Sequence, residues 1–200
     1  VVARCATTQS HREPSIIDLD TYRDWGGSMA RSYFYHNLSR SIEEITVWRK
    51  LVLTCHDVAN YFLSLTDEDA GDLISNLKLQ KLVYYAQGFH LALYHEPLFG
   101  EAIEAWTHGP AIPSLYHHYQ GLGANAIPRP THLDFDIYDT QTRELLDEVH
   151  QVYGQFSAWK LRNMTHREPP WQEAKQNGGI IAQRSMQDFF QTQLIDDESE

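Results

Sequence analysis

Residues 76–94 constrain this chain more than any other stretch. Leu79, Leu82, Val83, Ala86, Phe89 and Leu93 recur at helical spacing. Leu77, Tyr84, Tyr85, Leu91 and Tyr94 lie off that stripe, so the helix they predict is apolar over most of its circumference. Such a helix cannot lie on a surface, because no single face could be turned to water. It belongs in the middle of a domain, and the rest of the chain must wrap it. Ser75 or Asn76 can cap its start, and Pro97 and Gly100 end it and turn the chain. We expect Leu79, Leu82, Val83, Ala86 and Phe89 to be inaccessible to solvent.

The neighbouring segments are mostly helical as well. A helix is predicted from Ser41, with Glu44 as capping-box partner, through Val58, Ala59, Phe62 and Leu63 to about Leu65. The acidic run 66–72 reads as a loop. Residues 101–107 read as a short extended piece. Gly109-Pro110 punctuates the chain, and Pro110 suits the first position of a helix running to about Gln120. Leu133, Phe135 and Ile137 alternate with His132, Asp134 and Asp136, the period of a half-buried strand. Helices follow over 140–154 and 157–166, then one from Pro170, and a last one capped by Ser185. The expected fold is mainly α with a minor sheet. It is a compact helical domain around a buried central helix, with one short β-hairpin or two-stranded sheet. The expected division is an N-terminal extension over 1–50, partly irregular, a helical domain over 51–195, and an acidic tail over 196–200.

Composition narrows the function. Hydrophobic residues are 42% and aromatics 12%, enough for a core. The only cysteines are Cys5 and Cys55, too few for a disulfide framework or a cysteine-rich zinc site. That usage fits a reducing cytoplasm. No apolar run reaches the roughly 20 residues that span a bilayer, and no secretory signal is visible. The chain opens on Val1, which reads as a fragment, a processed product or an alternative start. Net charge is −11; Asp196, Asp197, Glu198 and Glu200 supply four of these charges, and the body keeps −7. A nucleic-acid partner needs a basic face, and none is visible.

Histidines number eleven, yet their spacing argues against a metal site. His90 and His95 are five apart, and His117 and His118 are adjacent. Neither spacing sets two imidazoles on one helix face, as an i, i+4 pair would. Phosphate-loop, nucleophile-elbow and kinase signatures are missing. No catalytic residue, cofactor or metal is therefore assigned.

Three stretches together carry a resemblance. They are Leu77 to Gly88 (LKLQKLVYYAQG), Glu104 to Pro113 (EAWTHGPAIP) with Leu115-Tyr116 beyond, and Leu161 with Thr165 to Glu168 and Pro170-Trp171. In order and spacing they resemble the Panacea domain of SocA-like and phage-associated antitoxins, over about residues 56–194. The resemblance implies an antitoxin that neutralises a cognate toxin by direct contact. In the adaptor-type variant of that function, the chain delivers the toxin to a protease. Residues 1 to about 50 lie outside it, as an added interaction segment or a reading frame begun too far upstream.

Candidate contact residues are whichever aromatic and basic side chains on and near the central helix prove exposed. Lys78 and Lys81, beside Tyr84 and Tyr85, read in two ways. They form an exposed patch that touches the partner, or they snorkel over the domain's own apolar surface. Tyr116 joins them as a partner-contact candidate. Trp106, Gly109 and Pro110 read as a structural elbow, with Trp106 anchored in the core. His166 is expected to make a structural hydrogen bond near Glu168 and Trp171.

Overall fold

A computed structural model describes residues 53–66 and 73–194. The expectations for residues 1–52, including the Ser41 cap and the extension over 1–50, lie outside the described residues, as does the acidic tail. The described residues contain seven α-helices and one two-stranded sheet. The helices are α1 (Cys55–Ser64), α2 (Asn76–Tyr94), α3 (Pro113–Tyr119), α4 (Thr140–Tyr153), α5 (Ala158–Thr165), α6 (Pro169–Gln176) and α7 (Gln183–Gln191). The strands are β1 (Glu104–Trp106) and β2 (Gly109–Ala111). The architecture is mainly α with a minor sheet, as the sequence predicts.

Helix α2 runs through the middle, and its bounds match the predicted ones. Ser75 caps it by accepting from the Lys78 N–H, and His95 ends it in the left-handed conformation at φ 60°. Leu79, Leu82, Val83, Ala86 and Phe89 are all inaccessible. Helices α1, α3, α4, α5 and α7 and strand β2 all pack on it. The closest approach is α7: the Phe190 ring lies where a Cβ on Gly88 would point. Phe190 also meets Tyr84, Tyr85 and Phe89 edge-on. Five helices and a strand thus pack around one helix, which an all-round apolar surface requires.

Several elements differ from expectation, each for a local reason. α1 starts at Cys55, because Thr54 and Asp57 form a reciprocal capping box that sets a fresh N-terminus. Leu53 before it bridges to Phe99 instead of continuing a helix. Pro110 does not begin a helix. It lies in β2, opposite Ala105, and Pro113 takes the helix-starting role. Gly109, at φ +92°, closes the hairpin, and the Gln80 side chain holds the Ile112 N–H in extended backbone. The alternating run at 132–137 is a 3-10 turn over Phe135–Ile137, not a strand. The Asp134 carboxylate accepts from the Asp136 N–H, a local bond that competes with sheet pairing. Phe135 is left exposed. Helix α7 starts two residues before Ser185, whose hydroxyl donates to Glu173 instead of capping. Helix α6 starts at Pro169, one residue before the expected Pro170. Its first turn holds both prolines, where a missing N–H costs nothing.

Candidate functional site

The N-terminal half of α2 carries polar residues inside an otherwise apolar helix, and each is used. Gln80 Nε2 donates to Asn76 Oδ1 at 3.0 Å, while Gln80 Oε1 accepts the Ile112 N–H at 2.7 Å. Asn76 Nδ2 donates to the Tyr116 carbonyl at 3.1 Å. Lys81 Nζ donates to the Pro110 carbonyl at 2.6 Å. Pro110 cannot donate, but its carbonyl can accept, and Lys81 takes it. Helix side chains therefore bind β2 and α3 by their backbone. Gly109 is pressed against this joint. A Cβ there would stand 2.7 Å from Thr165 Oγ1 and 2.9 Å from Lys81 Cε.

Behind Lys81 is a buried carboxylate. Glu168 is the N-cap residue of α6 and is almost inaccessible. Both its oxygens accept hydroxyls at 2.8 Å, one from Tyr84 and one from Tyr85. Burial pushes both phenols well above their ordinary range, and the neighbouring carboxylate adds to the shift. Burial also pulls the Lys81 ammonium down to about 7; Glu168 opposes that shift and Arg162 reinforces it.

These findings correct the expected contact patch. Lys78, Lys81, Tyr84 and Tyr85 are all buried, and only Tyr116 is exposed. α2 is covered on every side, and the hydroxyls of Tyr84 and Tyr85 are satisfied inside. Neither the surface patch nor the snorkelling pair describes Lys81. It is a buried fastener for the hairpin.

The surface feature at this place is a cleft of about 850 Å³ between the start of α2, the hairpin, α3 and the facing parts of α5 and α6. Lys81, Trp106, His108, Tyr116, Trp159 and Lys175 are among its lining residues. Trp106 is half-buried here, so its expected anchoring in the core is corrected too. Its Nε1 donates to Glu104 at 2.7 Å, and its ring meets Tyr116 edge-on at 5.0 Å. A short paired strand with a carboxylate beside the indole holds that ring at the cleft wall. Trp159, on the first turn of α5, is 59% exposed. The His108 ring meets it edge-on at 5.9 Å, and the Arg162 guanidinium lies 5.8 Å from its centroid.

His166 and Trp171 pack together against the hairpin. Trp171 Nε1 donates to the Trp106 carbonyl at 3.1 Å, tying α6 to β1. The His166 ring stacks on Trp171 at 3.9 Å, and its Nε2 has no hydrogen-bond partner. The expected structural hydrogen bond from that ring is replaced by stacking. Burial and the cations Arg162, Lys81, His108 and Lys175 push its pKa down to about 4. The ring is thus neutral in an already cationic setting.

Sequence reasoning missed Trp159, His108, Lys175 and the binding role of Gln80. One signal was present: Trp159 is a large aromatic on a short helix whose neighbours Lys160, Arg162 and Asn163 are polar. Cys55 offers no nucleophile, because burial raises its thiol to about 12. Among the described residues, no group of three or more His, Cys, Asp or Glu side chains is placed to hold a metal. No helix among them is long and apolar enough to cross a membrane.

Comparison with known proteins bears on the same region. Residues 79–172 match the family described as "Antitoxin SocA-like, Panacea domain". A segment of 109 residues is 32% identical to a curated protein named Antitoxin SocA from Caulobacter vibrioides (strain NA1000 / CB15N). That match covers 49% of this chain and 58% of the relative, so the chain spans little more than half the relative's length. No solved structure gives a significant match. The matched residues run from the first turn of the buried helix, through the hairpin and its cleft, to Trp171 and the residue after it, and over this stretch the chain is similar to the SocA-like Panacea domain.

Proposed function

We propose that this chain is an antitoxin that neutralises a cognate toxin in the cytoplasm by binding it directly, without catalysis, and that the cleft beneath the hairpin is its contact face. The observation that carries the reading is an aromatic rim on a rigid mount. Trp159 and Tyr116 are exposed and both line a cleft whose hairpin is fastened to the core through Lys81 and Gln80. Exposed Trp and Tyr beside a concavity are the residues that concentrate binding energy at protein interfaces. A rigid mount adds affinity, because less side-chain and loop freedom is lost on binding. The family match supports the antitoxin role in particular.

Coexpression tests this. The chain should rescue cells from the toxic product of the adjacent gene, and the two proteins should copurify. Trp159→Ala together with Tyr116→Ala should weaken the complex by about 2–4 kcal/mol, as hot-spot truncations do, while leaving the unfolding midpoint unchanged. Full rescue by the double variant would move the contact face away from the cleft. Turnover by the purified chain alone would reject the binding-only reading.

A further inference from the structure

The cleft is chemically unlike the rest of the chain. The protein carries a net charge of −11, yet among the described residues those lining the cleft include Lys81, His108 and Lys175 and no aspartate or glutamate. Two carboxylates on the elements around it are turned to other work. Glu168 accepts from two tyrosines inside the core, and Glu104 accepts from the Trp106 indole. Arg162 adds a guanidinium beside Trp159, 5.8 Å from its centroid. His108 meets the same indole edge-on at 5.9 Å, so the basic side chains gather at one end of the cleft. Aromatic rings line the same cleft: Trp106, which meets Tyr116 edge-on, and Trp159.

Resting on the reading of this cleft as the contact face, we propose that it receives an acidic segment of the partner protein, a short stretch carrying carboxylates beside an apolar side chain. The carboxylates sit toward Lys175, His108 and the Lys81 end of the cleft, and the apolar side chain lies between Trp106 and Trp159. Charge complementarity selects this occupant. A basic pocket in an acidic protein attracts a local cluster of negative charge. It disfavours a long polyanion, because nucleic acid extending past the cleft would run along the acidic body. The cleft volume is in the range of about 300–1,000 Å³ typical of sites that bury a few side chains or a small ligand.

The test needs no toxin. The full chain is titrated with a blocked hexapeptide of aspartate and glutamate around one phenylalanine. The control peptide has asparagine and glutamine in place of the acids. Tryptophan indole NMR signals and calorimetry are the readouts. The acidic peptide should bind at least about tenfold tighter than its amide counterpart, and the preference should shrink as salt shortens the screening length. The indole signals of Trp106 and Trp159 should shift first. Trp159→Ala should weaken binding by about tenfold, and Lys175→Gln and His108→Gln by severalfold each. All three side chains are at the surface, so circular dichroism should be unchanged.

Equal affinity for the amide peptide, or no binding, overturns the proposal. So does binding that the three substitutions leave unaltered. A single-stranded 12-nucleotide DNA that binds in preference to the acidic peptide makes the occupant nucleic acid. Self-association abolished by Trp159→Ala makes it a second copy. Peptide binding that emerges only when Asp196, Asp197, Glu198 and Glu200 are all changed to their amides makes it the chain's own tail. Peptide binding without cellular rescue would sink the antitoxin reading and leave this inference standing; rescue without peptide binding would do the reverse.

Discussion

Lys81 shows how much one residue can decide. It lies in a helix whose other side chains are mostly apolar, and a surface assignment was the natural reading of a Lys beside two tyrosines. The structure instead buries its stem and uses its amine on the Pro110 carbonyl. The charge has a thermodynamic signature. Its folded pKa is about 7, against an ordinary 10.5, so above pH 7 the unfolded chain binds more protons than the folded one. Stability from this group therefore rises with pH from about 7 toward 10.5, and below about 7 its penalty is constant. Urea denaturation midpoints of the wild type should climb between pH 7 and 9.5. Lys81→Met should flatten that climb. An identical slope in both proteins would show that the amine is not desolvated in the fold. The identity of Lys81 was legible in the sequence, but its burial was not. A side chain on the flank of an all-round apolar helix gives no sign of which neighbour will cover it.

At the scale of elements, periodicity succeeded where many residues share one pattern and failed where a few do. Helix α2 spans five turns of consistent apolar spacing, and its bounds agree with expectation. Helices α4 and α5 likewise follow their caps, Asp139 and Ser157. The run at 132–137 had three apolar positions only, and one Asp side chain bonding its own backbone was enough to turn it. Pro110 and Pro113 offered two candidate helix starts three residues apart. The choice was made by Gln80 and Lys81, some 30 residues upstream, which no local rule contains. The cleft was illegible for the same reason. Its residues come from α2, the hairpin, α3, α5 and α6, and sequence spacing does not bring them together. The packing of α7 on α2 gives a direct check at this scale. Gly88→Ala places a methyl group into the Phe190 ring, so α7 must shift. The expected loss is about 1–3 kcal/mol, as for overpacked cores, seen as a lower midpoint with an unchanged m value. A neutral result would mean that α7 can move away freely.

The whole chain is acidic, with a net charge of −11, and its described residues carry a recess lined by basic side chains. Binding to duplex DNA at physiological salt should be negligible, because few phosphates could be neutralised without bringing others against the acidic surface. An electrophoretic shift at micromolar protein that weakens steeply with salt would contradict this. The described core also closes on itself from Leu53 onward, with Leu53 bridged to Phe99 and Cys55, Val58 and Phe62 inaccessible. We expect a chain beginning at Ser41 to unfold cooperatively with a midpoint close to that of the full chain. Loss of the transition would place the aromatic residues Tyr22, Trp25, Tyr33, Phe34 and Tyr35 in the core.

The burial of α2 has a consequence for how the protein is made. The helix comes early in the chain, but its covers come late: Glu168, which takes the hydroxyls of Tyr84 and Tyr85, and Phe190, which lies against Gly88. At roughly 5–20 residues per second, a ribosome leaves the most apolar segment uncovered for about 5–20 seconds before the last of these residues is made. During that interval a nascent chain presents unpacked leucine, tyrosine and phenylalanine, the substrate of chaperones and proteases. A chain cut short before α7 leaves α2 open on the side that Phe190 closes, so the core is complete only when the last described helix is made.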